Sequence, residues 1–148
     1  MNMKNNIYEN LLDTWLKTTF VICNRRIVKE LSFNEAVVCR LLNEAKQNNV
    51  NMTATDLCNK TKILKSLMNL TLNNLEKKEM IRRVRSKKDK RQYYLVLNEE
   101  HIDVYKREHK RIIGLIKEAT KELNDTEIQN IIDVLGKITD SMEDYYGN

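Results

Sequence analysis

Twelve lysines and arginines fall between residues 60 and 91 (Lys60, Lys62, Lys65, Lys77, Lys78, Arg82, Arg83, Arg85, Lys87, Lys88, Lys90 and Arg91), and only Glu76, Glu79 and Asp89 oppose them. This window carries a net +9 in a chain whose total is +5, so the remainder sums to −4. Residues 92 to 148 hold seven basic against twelve acidic side chains. Positive potential is therefore confined to one segment beside a mildly acidic body, the footprint of a polyanion-binding surface. Charge by itself does not separate DNA, RNA and anionic lipid. Catalytic chemistry finds less support. His101 and His109 lie eight residues apart with Asp103 and Glu108 nearby, too wide for an i, i+4 ligand pair on a helix. Gly-rich phosphate loops, GxSxG and HExxH are all missing from the chain. Cys23, Cys39 and Cys58 are odd in number and widely spaced, which argues against a disulfide framework and against a zinc site. Each reads as a small buried hydrophobe, although Cys23 has Arg25 and Arg26 close in sequence. An enzyme is not expected, nor a cofactor or metal.

The elements that must carry the basic segment follow from periodicity. With 32% charged residues, no proline and only three glycines, long solvated helices are favoured over a sheet rich in tight turns. Residues 7 to 30 place Ile7, Leu11, Leu12, Trp15, Leu16, Thr19, Phe20 and Cys23 at helical spacing, and Asp13 and Lys17 interrupt any membrane span or signal peptide. Ser32 with Glu35 reads as the cap of a second helix, ending near Gln47-Asn48-Asn49. Thr53 starts a short third helix through Leu57 and Cys58. A turn at Lys62-Ile63 leads into a fourth, from about Leu64 to Lys78, and two short helices in tandem suggest a helix-turn-helix. The period then changes. Met80 to Arg85 and Gln92 to Leu97 read as two strands around a polar tip, Ser86 to Lys90. From Glu99, and again from Thr126, helical stripes return with more apolar surface (Ile102, Tyr105, Ile112, Ile116, then Ile131, Leu135, Met142) than a small head can cover. The terminal helices are accordingly expected to form a dimer interface.

Residues 56 to 97, DLCNKTKILKSLMNLTLNNLEKKEMIRRVRSKKDKRQYYLVL, resemble the winged helix-turn-helix of the MarR family of bacterial regulators, and the resemblance extends over essentially the whole chain. Its most specific parts are Leu75-Glu76-Lys77-Lys78 leading to Ile81 and Arg83, and Asp89-Lys90-Arg91, which is similar to the family's Asp-x-Arg wing motif. The resemblance implies a mostly α fold with a small β-hairpin wing: one domain over residues 1–148, with a winged-helix lobe at 32–98 and helical dimerisation regions at 1–31 and 99–148. It implies an obligate homodimer on pseudo-palindromic double-stranded DNA in the cytoplasm, away from any membrane. A small-molecule effector or an oxidant acting between the dimer helices and the heads is implied as well. The family commonly has glycine where this chain has Glu79, so a left-handed Glu79 is expected at the turn into the wing.

Within this frame the fourth helix lies in the major groove and presents Lys65, Ser66, Asn69 and Asn73, asparagine being able to pair bidentately with adenine. Leu67 and Leu70 can meet thymine methyls, so an A/T-leaning site is expected. Arg83 joins this set at the root of the wing. Lys87, Lys88, Lys90 and Arg91 supply charge at the tip, with Arg91 entering a narrow minor groove and Asp89 either orienting it or forming a turn. Because Leu64, Leu67 and Leu70 make the helix apolar on more than one side, a second reading stays open, a protein-interaction module that uses this leucine-rich helix.

Overall fold

A computed structural model describes residues 6–24 and 27–146. The order of elements is α1 (Ile7–Asn24), α2 (Phe33–Gln47), α3 (Ala54–Thr61), α4 (Lys65–Lys77), β1 (Ile81–Arg85), β2 (Tyr93–Leu97), α5 (Asp103–Ala119) and α6 (Asp125–Tyr146). Capping boxes set the starts of α2, α3 and α6. The Ser32 hydroxyl accepts the Glu35 N–H while the Glu35 carboxylate accepts the Ser32 N–H, and Thr53 with Asp56 repeats the arrangement at α3. Asn124 and Glu127 do the same before α6. Each box satisfies two main-chain donors that the first helical turn leaves without partners.

Left-handed residues follow three of the helices, Asn49 after α2, Lys62 after α3 and Glu79 after α4, with φ of 55°, 57° and 56°. The expected Glu79 conformation is thus observed, and the Met80 N–H reaches back to the Leu75 carbonyl. The hairpin pairs Ile81 with Leu97 and Arg85 with Tyr93 in antiparallel register, and Met52 adds a single bridge to Leu95. Met68, Leu72 and Leu75 of α4 pack with Val38, Cys39 and Leu42 of α2, Leu57 of α3, Ile81, Leu95 and Leu97 of the hairpin, Ile102 just before α5 and Tyr105 within it. This core backs the outward face of α4.

Several boundaries differ from the sequence expectation. The first helix ends at Asn24 and not near residue 30. The Glu108 carboxylate, buried on α5, instead accepts the main-chain N–H of Lys29 (3.1 Å) and Glu30 (3.0 Å), which holds this stretch out of a helix and seats Leu31 in the core. Met80 and Gln92 fall outside the strands, Met80 because its carbonyl closes the loop from Asn98 and Gln92 because its N–H turns back to Asp89. The fifth helix begins at Asp103, since residues 99–101 form a turn in which His101 donates to the Asn98 carbonyl. The sixth begins one residue earlier than expected, at Asp125. Arg25 and Arg26 and the side chain of Cys23 lie outside the described residues.

The chain divides into two compact units, Met1–Lys110 and Arg111–Asn148. In the first, α1 exposes Leu11, Leu12, Trp15, Leu16 and Phe20; in the second, α6 exposes Ile131, Ile132, Val134, Leu135 and Met142. Among the described residues no helix is long and apolar enough to cross a membrane, and no group of three His, Cys, Asp or Glu side chains could hold a metal ion.

Candidate nucleic-acid interface

Helix α4 is sorted by its own period. Met68, Thr71, Leu72 and Leu75 face inward, whereas Lys65, Ser66, Leu67, Asn69, Leu70 and Asn73 are exposed. Every residue expected of this helix therefore lies on its solvent side. Leu64, 75% exposed, precedes the first turn without a side-chain cap, and Leu70 is 57% exposed. Apolar surface at this density beside asparagines is unusual for a merely solvated face and suits contact with thymine methyls or with another apolar surface.

The wing tip is tied internally. Ser86 is buried, and its hydroxyl oxygen accepts the N–H groups of Lys88 and Asp89, each at 3.2 Å, beside the Tyr94 hydroxyl at 3.3 Å. Arg85 donates through Nε to the Lys90 carbonyl at 2.7 Å. Asp89 accepts the main-chain N–H of Arg91 at 2.9 Å, so its carboxylate holds an Asx turn in place of the charge-assisted bond to the Arg91 guanidinium expected of an orienting residue. These bonds leave Lys87, Lys88, Lys90 and Arg91 exposed on a fixed loop. Ser86 was legible only as part of a polar tip, because its bonds to the loop depend on the hairpin register.

Arg83 connects the wing to α4. Its Nε donates to both Glu76 oxygens, at 3.0 and 3.1 Å, and its Nη2 to Asn73 Oδ1 at 3.2 Å. A cleft of about 510 Å³ opens beside it, lined by Thr53 to Asp56 at the start of α3 and by Arg83, Arg91 and Tyr93. The joint is braced from behind, where Lys78 at the end of α4 donates to both oxygens of buried Glu35 at 2.8 Å. Nearby Cys39 is inert. Burial, reinforced by Glu35 and opposed by Lys78, pushes its thiol up to about 12, so almost no thiolate forms near neutrality. Burial likewise raises the Tyr105 phenol, against the opposing pull of Arg40.

Comparison with known proteins places this geometry. Residues 31–92 match the sequence model of the MarR family. No curated protein matches the chain. Among solved structures, the transcriptional regulator BldR from Sulfolobus solfataricus is similar at 19% identity and a TM-score of 0.72, over 95% of this chain and 99% of that one. The PcaV transcriptional regulator from Streptomyces coelicolor, in complex with its natural ligand, is similar at 16% identity and a TM-score of 0.73, over 97% and 98%. FabT from Streptococcus pneumoniae, in complex with DNA, gives 19% identity and a TM-score of 0.70, over 94% and 96%. The chain thus has the winged-helix fold of these regulators along nearly its full length, and its segment 31–92, which runs from the start of the lobe through α4 and β1 to the residue before β2, matches the MarR family model.

Proposed function

We propose that this protein is a transcription regulator, not an enzyme, that binds double-stranded DNA as a cytoplasmic homodimer. The observation that carries the reading is the pairing, in one lobe, of an α4 whose Lys65, Ser66, Leu67, Asn69, Leu70 and Asn73 are exposed with a stapled wing that exposes Lys87, Lys88, Lys90 and Arg91. In it, α4 enters the major groove, the wing tip reaches the minor groove, and Arg83 with Asp89 holds the two in shape. The exposed apolar side chains of α1 and α6 support two-fold pairing through the regions 1–31 and 99–148, and hence a pseudo-palindromic operator. A largely apolar cavity of about 390 Å³, lined by Ile22, Val28, Leu31 and Phe33, is of a size that suits a small effector.

Exposed Leu64, Leu67 and Leu70 favour one competing reading, in which α4 docks on a protein. Salt dependence separates the two. For DNA, each neutralised phosphate adds about −0.9 to the slope of log affinity against log salt. Titration of the protein with a selected duplex should therefore give a slope of about −4 or steeper for a dimer with several phosphate contacts. A flat slope, with no sequence enriched from a random pool, would reject the DNA reading.

A further inference from the structure

Asn73 and Asn69 lie on the same exposed side of α4, but they are not chemically equivalent. Asn69 makes no side-chain hydrogen bond to the described residues, whereas Asn73 Oδ1 accepts from Arg83 Nη2 at 3.2 Å. A guanidinium offers only donors. The Asn73 amide must therefore turn its oxygen toward Arg83 and its Nδ2–H2 away, since the flipped amide would set donor against donor. Arg83 is held for this purpose by two further bonds to Glu76, and both side chains are only about one-third exposed. The carboxylate also neutralises the guanidinium in place, which leaves it poorly suited to a phosphate.

We propose that Arg83 is a positioning residue for Asn73, and that Asn73 reads a base as a hydrogen-bond donor only. The inference rests on the DNA-binding reading above and deepens it. An unconstrained asparagine pairs bidentately with adenine, its Oδ1 taking the N6–H and its Nδ2–H meeting N7. In the proposed geometry one Oδ1 lone pair is taken by Arg83 and the carbonyl is turned toward β1, so that its second lone pair does not reach the N6–H and only the second half of that pair survives. Guanine (N7, O6), adenine (N7) and thymine (O4) each offer an acceptor in the major groove, while cytosine offers only its N4–H2 donor. The base facing Asn73 is thus any base except cytosine, and specificity for adenine falls to Asn69.

The test uses the full chain and a duplex selected from a random pool, with every single-base variant of that duplex measured at several salt concentrations. For the wild type, one position in each half-site should lose roughly five- to tenfold in affinity on change to cytosine and little on change among the other three bases, the low end of a single good base contact. Asn73→Ala should abolish this discrimination. Arg83→Met and Arg83→Lys should both convert it into a preference for adenine, because neither side chain can hold Glu76 and Asn73 at once. Equal behaviour of the lysine variant, which keeps the charge, shows that fork geometry is the cause, and thermal melting of each variant reports whether the fold is kept. The salt slope should stay unchanged in Arg83→Met, whereas loss of a phosphate contact would lower it by about one. An adenine preference already present at the Asn73-dependent position, no position that depends on Asn73, or a slope reduced by about one with base preference intact overturns the inference while leaving DNA binding standing. Failure of the wild type to enrich any sequence removes both.

Discussion

At the wing tip, Asp89 accepts the main-chain N–H of Arg91, and an Asx turn of this kind is closed equally well by the neutral side chain of asparagine. This separates two functions that alanine substitution alone would merge. Under the proposed DNA reading, Asp89→Asn should bind operator at least as tightly as the wild type, because the turn survives and a negative charge leaves the surface that would meet phosphates. Asp89→Ala should weaken binding by about 0.5–1.5 kcal/mol, the usual size of one lost intramolecular hydrogen bond, expressed here as a loosened loop. Fluorescence anisotropy titrations measure both. Equal losses in the two variants would mean that the carboxylate charge itself matters, as in an ion pair formed with Arg91 only on DNA. Electrostatic counting from the sequence could place Asp89 in the wing but could not choose between these roles, since the choice depends on which hydrogen the carboxylate meets.

Among the elements, α2 and α4 are joined by a contact that spacing does not reveal. Ser32 and Glu35 were readable as a capping box, and the same carboxylate then accepts from Lys78, forty-three residues away. Glu35→Gln keeps a side chain that can complete the box but loses the charge pair, and it should cost about 1 kcal/mol. Glu35→Ala loses both and should cost about 2–3 kcal/mol, below the full penalty for breaking a buried pair because the Lys78 side chain is 42% exposed and can return to water. Urea unfolding midpoints check the order, and equal effects of the two variants would show that the cap alone counts. The helices and the hairpin were legible because the apolar period of α4 and the β-forming residue types of the strands are local signals. What was not legible is polar closure between elements: Glu108 on residues 29–30, which shortens α1, and Glu76 of α4 on Arg83 of β1. Each of these is a polar side chain whose partner is chosen by the fold and not by neighbours in sequence.

For the molecule as a whole, the apolar side chains that α1 and α6 expose are too many to remain in water without cost, each large one representing about 1.5–3 kcal/mol when fully buried. Sedimentation equilibrium at micromolar concentration should give a dimer, and Leu12→Glu with Ile132→Glu should shift it to monomer while the winged lobe keeps its hairpin signature in circular dichroism. A wild-type monomer of normal stability would remove the basis for a symmetric operator. The exposure itself follows from helical stripes that were readable in the sequence, whereas the surface proposed to cover them belongs to a second chain and has no signature in the sequence of one.

Asn49, Lys62 and Glu79 turn three helix ends with positive φ in a chain that has only three glycines. Left-handed backbone costs an ordinary residue roughly 1–2 kcal/mol, more than glycine's extra freedom in the unfolded chain returns, so Lys62 and Glu79 hold strain that one codon change each would release. Lys62→Gly and Glu79→Gly should therefore each raise the thermal unfolding midpoint while leaving the buried core as it is.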